Sequence, residues 1–358
     1  MSACVLNKKQ RAAVDFVLSG HNLVILGKAG TGKSLTVKSI YERCVSTGKQ
    51  CVVTATTGIA CSVYPKSMNA MTIHRWSGIG DGRYSPSEIN IVVSNNPKYR
   101  QVKDRIFKTD VLIIDEFSKL DKRAMNCLNA VCSLKNALLY FGGIQVVLVG
   151  DLVQLPPVPC ARYNEDGSFC FESDIYEMAF PHRIKLQQVH RQTEPQLIKA
   201  IEEASTGILT NETTKYIKKL SVLLENSDDK TRNRDEKIYI KREKFEVFEP
   251  RRNTVVATRE QYPLKPAYAL TIHKSQGMTL DRIEVDRRDI FKAGQLGVAI
   301  GRVRLSAGLR VVNFTDRTCR KQPEKVLRYN DECDNLSTKT KYAVLALKGN
   351  FVINKVHI

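Results

Sequence analysis

An α/β fold built on parallel sheets is what this sequence predicts, and three observations carry that reading. Short, almost wholly apolar runs at 23–26, 52–54, 111–114 and 145–149 alternate with helical patterns. The first run enters a glycine-rich loop that opens a helix, and the third ends in two carboxylates. Strands apolar along their whole length suit a sheet buried on both faces, as parallel sheets are. Helices then cover both sides, and ligands gather at the carboxyl ends of the strands.

The chain has 358 residues, enough for about two or three domains. Its 42% hydrophobic and 26% charged residues exclude disordered and fibrous classes. No apolar run approaches the ~18 residues of a membrane span, and the first ten residues lack the apolar core of a secretory signal. The longest apolar stretch, 137–149, reads as a loop running into a buried strand. Ten cysteines include no Cys-x-x-Cys pair, so they read as reduced thiols rather than a zinc site or disulfide framework. Lys+Arg outnumber Asp+Glu by 56 to 37, a net charge of +19. That surplus favours a polyanionic partner, most simply nucleic acid, over a merely solvated surface.

The first strand leads into Gly27-Lys28-Ala29-Gly30-Thr31-Gly32-Lys33-Ser34, a Gly-x4-Gly-Lys-Ser loop followed by a helical pattern. Glycines let successive backbone N–H groups wrap a phosphate without Cβ clashes, and the helix N-terminus adds its dipole. Lys33 supplies a point charge between β- and γ-phosphates, and the Ser34 hydroxyl is a ligand for Mg²⁺. The third strand delivers Asp115 to the same Mg²⁺ and Glu116 to the water that attacks the nucleotide. No Asn-Lys-x-Asp segment is present, which argues against a guanine nucleotide. The fourth strand ends in Gly150-Asp151-Leu152-Val153-Gln154-Leu155, a segment able to hold the Gln154 amide near the γ-phosphate. Pro156 and Pro157 stop the sheet there.

The ordered series of motifs resembles the Pif-type DNA helicases, in the B branch of superfamily 1 with the RecD-type enzymes. Residues 5–205 and 255–330 carry the resemblance. It rests on Leu6-Asn7-Lys8-Lys9-Gln10, Thr54-Ala55-Thr56-Thr57-Gly58, Thr72-Ile73-His74-Arg75-Trp76, Gln188-Val189-His190-Arg191-Gln192, His273-Lys274-Ser275-Gln276-Gly277 and Ala299-Ile300-Gly301-Arg302. The resemblance implies two RecA-like P-loop domains, the second one reduced, with ATP and Mg²⁺ between them. It implies that Gln10 reads adenine and that Gly277 joins the loop in binding ATP. Arg191 and Arg302 then approach the γ-phosphate, and Thr57, His74, Trp76, His273 and Lys274 contact DNA. Trp76, the only tryptophan, reads equally as a base-stacking aromatic or a core anchor.

The domains expected are an ATP-binding motor at 1–180, a reduced motor at 181–330 with a small β insertion near 226–258, and a tail of unknown role at 331–358. Two features depart from the family. Gly301 stands where the family usually has serine, giving Arg302 a looser backbone. The stretch 205–250 lacks a Thr-Asn strand motif; instead 226–237 reads as an exposed charged loop, and 238–240 and 245–248 as short strands. Residues 344–347 and 351–353 are strand-like. The resemblance implies a 5′-to-3′ ATP-dependent helicase or translocase on single-stranded or forked DNA, serving replication, repair, recombination or telomere maintenance. A monomer in the nucleus or cytoplasm is expected, with no membrane contact and protein partners left open; the trimmed regions would suit a virus in a host nucleus. The competing expectation is a reduced homologue that binds DNA or a replication partner, with weak ATPase and no robust unwinding. A motor on RNA stays open, because phosphate contacts carry no sugar identity.

Overall fold

The computed structural model describes residues 5–80, 82–163, 165–221, 239–249, 254–264, 269–288, 290–315 and 319–333. The expected charged loop at 226–237, the strand-like runs at 344–347 and 351–353, and all but the start of the 331–358 tail lie outside the described residues.

The chain opens with α1 (Lys8–Leu18), fixed by a reciprocal cap in which Asn7 Oδ1 accepts from the Gln10 N–H and Gln10 Oε1 accepts from the Asn7 N–H. There follow β1 (Leu23–Gly27), α2 (Lys33–Ser46), β2 (Cys51–Ala55), α3 (Gly58–Cys61), β3 (Met71–Thr72), α4 (Ile73–Ser77), α5 (Pro86–Asn95) and α6 (Arg100–Lys108). Next come β4 (Val111–Asp115), α7 (Lys122–Cys132), β5 (Gln145–Gly150), α8 (Tyr176–Ala179) and β6 (Arg183–Leu186). The strands form one six-stranded sheet in the order β3-β2-β4-β5-β1-β6, and every pairing is parallel.

Strand pleating sends alternate side chains to opposite faces, and each face has its own core. Val24, Leu112 and Leu148 pack with Phe117, Leu128 and Tyr176 on one side. Ile25, Ile113 and Val149 pack with Phe16, Val37 and Ile40 on the other. Strands β1, β4 and β5 are buried at every position, which is why they read as unbroken apolar runs. The registers Leu23 opposite Val147 and Val111 opposite Gln145 bring their carboxyl ends to one edge.

The second unit is smaller. It contains α9 (Pro195–Thr206), α10 (Asn211–Lys219), β7 (Glu243–Glu249), β8 (Thr254–Gln261), α11 (Ile272–Ser275), β9 (Ile283–Asp286), α12 (Gln295–Ile300), β10 (Leu309–Val312) and α13 (Glu324–Glu332). Strands β9 and β10 pair in parallel, and Val285, Leu296, Ile300 and Val311 pack with Leu197 and Ala204 into a third core. Strands β7 and β8 form a separate antiparallel hairpin with Phe245, Val247 and Val256 exposed. Tyr239 and Ile240 lie before the hairpin rather than in a strand, and β8 runs three residues past the expected limit at 258.

Two differences from the expected boundaries have a packing cause. Strand β6, beyond position 180, is the edge strand beside β1, with Val24 opposite Arg183. Helix α13 returns from the second unit to the first, burying Val326, Tyr329 and Cys333 at the i, i+3, i+7 spacing of one helical face. The Tyr329 hydroxyl lies 2.7 Å from that of Tyr176, and the Arg183 guanidinium sits 4.6 Å from the Tyr329 ring centre. No helix among the described residues is long and apolar enough to cross a membrane.

Candidate functional site

The loop between β1 and α2 is built on two left-handed glycines, Gly30 and Gly32, both at φ +82°. Any Cβ there is strained by the backbone alone. It would also meet Arg191 Cβ at 2.6 Å from Gly30 and Gln10 Nε2 at 2.4 Å from Gly32. The segment after β6 is thus seated directly on the loop, and the His190 N–H donates to Gly30 O at 2.7 Å. Lys33 folds over the turn, its ammonium donating to Gly27 O (2.6 Å) and Lys28 O (3.1 Å).

Opposite the loop, β4 ends in Asp115, and Glu116 follows it. Asp115 is buried and accepts from the Tyr64 hydroxyl at 2.5 Å. Burial first, and the neighbouring Glu116 charge second, push its carboxyl up to about 6. Glu116 adopts left-handed backbone (φ 55°, ψ 37°), an unfavourable region for a side chain with a Cβ, and its N–H donates to Asp115 Oδ1. Gln154, just past β5, donates to Asp151 Oδ2 at 2.9 Å.

Two arginines complete the enclosure. Arg191 donates through Nη1 to Gly301 O at 3.1 Å, and Arg302 donates through Nε to Val298 O at 2.8 Å. Burial, then the Arg191 charge, push Arg302 down to about 10. Two desolvated guanidiniums facing one space create a demand for anionic charge. Gly301 has φ −73°, outside the left-handed region, though an added Cβ would meet Gly297 O at 2.8 Å; the expected looseness is offset by the anchor Arg302 makes on the Val298 carbonyl of α12.

These side chains surround a cavity of about 380 Å³ lined by Ala29, Gly30, Gly32, Lys33, Ser34, Asp115, Glu116, Gln154, Arg191, Gly277 and Arg302, among others. Its size suits a small-molecule ligand. Gly27, Lys28, Thr31 and Gln10 do not line it. Gly27 ends β1, and the Thr31 hydroxyl braces the turn by donating to Lys28 O. Lys28 instead pairs with Glu202 of the second unit at 2.7 Å. Gln10 is 1% exposed and spends its amide on Thr31 O and the Asn7 N–H, supporting the loop from behind.

A hard divalent ion fits this oxygen set: the Ser34 hydroxyl and the buried Asp115 carboxylate with Glu116 beside it. Among the described residues no cluster of three or more His, Cys, Asp or Glu side chains is placed to hold a metal by itself. A magnesium ion here would share its coordination with nucleotide oxygens, as Mg²⁺ sites commonly do.

The residues expected to contact DNA divide. Thr57 caps α3 through its hydroxyl and is half-buried, followed by the exposed Gly58. His74 is half-buried on α4, and burial lowers its pKa. Lys274 is exposed on α11, and His273 is half-buried beside it with its pKa also lowered, by burial and then by Lys119. Trp76 is not with them. It is 0% exposed in the core with Ile73 and Leu128, because Ile73, Trp76 and Ser77 share the inward face of α4. The base-stacking role expected for Trp76 is therefore corrected to that of a core anchor.

Sequence reasoning missed two residues at the centre. Tyr64 bonds Asp115, and nothing in its local pattern marks it. Gln276 donates to Glu116 Oε2 (2.8 Å) and Gln154 Oε1 (3.2 Å); its signal was its place in the His-Lys-Ser-Gln-Gly block.

Fold and site together define a P-loop protein of two units with a cation-rich cleft between them. The family pattern described as PIF1-like helicase matches residues 5–214, and the chain belongs to that family. It is 27% identical to the ATP-dependent DNA helicase PIF1 of Danio rerio over 419 positions, and 26% identical to that of Homo sapiens over 417 positions. Each match covers 90% of this chain, which spans 63% of the length of either relative. The aligned spans exceed the chain's own 358 residues, so the relatives carry extra residues within them. The fold is similar to that of Pif1 helicase from Candida albicans (TM-score 0.80, 23% identity, covering 92% of this chain and 100% of that one). It is also similar to Pif1 helicase from Bacteroides in complex with ADP-AlF3 and ssDNA (TM-score 0.74, 22% identity, covering 93% and 98%). These likenesses carry the expected RecA-like α/β architecture.

Proposed function

We propose that the chain is an ATP- and Mg²⁺-dependent DNA helicase or translocase that works on single-stranded or forked DNA as a monomer, moving 5′ to 3′. The observation that carries this reading is the shared cavity: Lys33, Asp115, Glu116 and Gln154 from the first unit face Arg302 and Gly277 from the second. The names of the relatives support ATP as the fuel and DNA as the track.

Lys33 carries the charge that meets the β- and γ-phosphates, while the loop N–H groups wrap them. Ser34 and Asp115 would hold Mg²⁺, which neutralises phosphate charge as the terminal bond breaks. Glu116 takes the proton of the attacking water, and Gln154 contacts the terminal phosphate. Arg191 and Arg302 stabilise the charge that develops there, a role worth about 10³–10⁵ in rate for one well-placed arginine. Arg302 belongs to the second unit, so engaging it closes the cleft and hydrolysis releases it. Thr57 and His74 on one unit, with His273 and Lys274 on the other, then grip the strand alternately. The two histidines act as neutral donors near pH 7, since burial lowers both pKa values.

Among the described residues the β9–β10 sheet has two strands, which favours one other reading, a homologue that binds DNA but turns ATP over weakly. Steady-state ATP turnover with and without single-stranded DNA separates the two. The motor reading expects strand-stimulated turnover, falling to about 1% or less in Lys33→Ala while strand binding survives. Unstimulated, weak turnover in the wild-type chain would favour the second reading.

A further inference from the structure

We propose that Gln276 is a positioning residue for hydrolysis, which sets the orientation of Glu116 and Gln154 and ties both to the strand-facing segment of the second unit. The inference rests on the ATP-hydrolysis reading above.

Gln276 is 2% exposed, and its single NH₂ group serves two acceptors that line the cavity, Glu116 Oε2 at 2.8 Å and Gln154 Oε1 at 3.2 Å. These partners lie 160 and 122 residues away in the chain and follow different strands, β4 and β5. Glu116 needs such a hold, because its backbone sits in the left-handed region and, among the described residues, its carboxylate accepts from no other donor. Gln154 already gives its own NH₂ to Asp151, so the Gln276 amide completes its orientation. With one carboxylate oxygen of Glu116 engaged, the other is left for the proton of the attacking water.

The Gln276 side-chain oxygen Oε1 is buried without a hydrogen-bond partner. An orphaned buried acceptor costs about 1–3 kcal/mol. A leucine of similar volume would avoid that cost, so stability alone does not account for an amide here. Gln276 also closes α11, the turn that carries His273 and Lys274, and Lys119, three residues after Glu116, donates to His273 O at 3.4 Å. Two contacts thus join residues 116–119 to residues 273–276. A strand that moves α11 moves the catalytic carboxylate with it.

The test uses the full chain and its Gln276→Leu and Gln276→Glu variants, with ATP turnover measured with and without oligo(dT). Leucine removes both donors; glutamate sets a further carboxylate against Glu116. A misplaced catalytic group costs about 10²-fold in rate. The expected result is therefore a kcat lowered by about that factor in Gln276→Leu, and by at least as much in Gln276→Glu, with KM for ATP within about twofold of wild type. The stimulation ratio falls towards one, while melting temperature and nucleotide-free strand affinity hold. Wild-type kcat and stimulation in folded Gln276→Leu would overturn the inference, as would a raised KM with a lowered melting temperature, the mark of a purely structural residue. A wild-type chain inert towards ATP would instead sink the hydrolysis reading, and this inference with it.

Discussion

At the scale of single residues, position on an element decides role more than residue type does. Trp76 is an aromatic in a motif expected to contact DNA, yet helical spacing turns it into the core while His74 stays half-buried on the same helix. Trp76→Ala should cost about 3–5 kcal/mol of unfolding free energy, measured by urea denaturation. Strand affinity per folded molecule, read by fluorescence anisotropy, should stay unchanged. A large loss of affinity in the folded variant would restore the stacking role. Lys33, Asp115 and Glu116 were legible in the sequence because their chemistry requires them at fixed offsets from a strand or helix end, whereas Arg302 came only from the resemblance to the family. Tyr64 and Gln276 were not, because their roles come from contacts 51 and 160 residues away.

At the scale of elements, the first sheet was legible almost to its ends. Strands β1, β4 and β5 are sealed by helices on both faces, and that burial is written as continuous apolar sequence. Strand β6, Arg183-Ile184-Lys185-Leu186, mixes charge with apolar residues because it is an edge, so its membership was hidden. The return of α13 was hidden too, since its amphipathic face does not say which core it will meet. That helix also steadies the joint between units: the Gln322 amide just before it donates to Val153 O in the first unit (2.7 Å) and Ser205 O in the second (2.9 Å). Tyr329→Ala should therefore destabilise the fold by about 3 kcal/mol or more, through lost packing and a stranded Tyr176 hydroxyl. A denaturation midpoint equal to wild type would show that α13 adds no stability to the first unit.

Across the whole molecule, the arrangement makes sense as a clamp. One unit supplies the loop, the two carboxylates and Gln154; the other supplies Arg302 and, on α11, the residues proposed to grip DNA. The net charge of +19 favours a polyanionic partner for the molecule as a whole. Lys28 to Glu202, Lys119 to the His273 carbonyl and Gln276 to Glu116 all cross between the units, so motion of one is felt by the other. The measurement that bears most directly on this clamp is strand-stimulated ATP turnover by Arg302→Ala, with ATP affinity read separately by a fluorescent analogue. The clamp predicts turnover down by about 10³-fold or more with affinity largely kept. Turnover at the wild-type rate would contradict it, because the second unit would then have no part in breaking the phosphate bond.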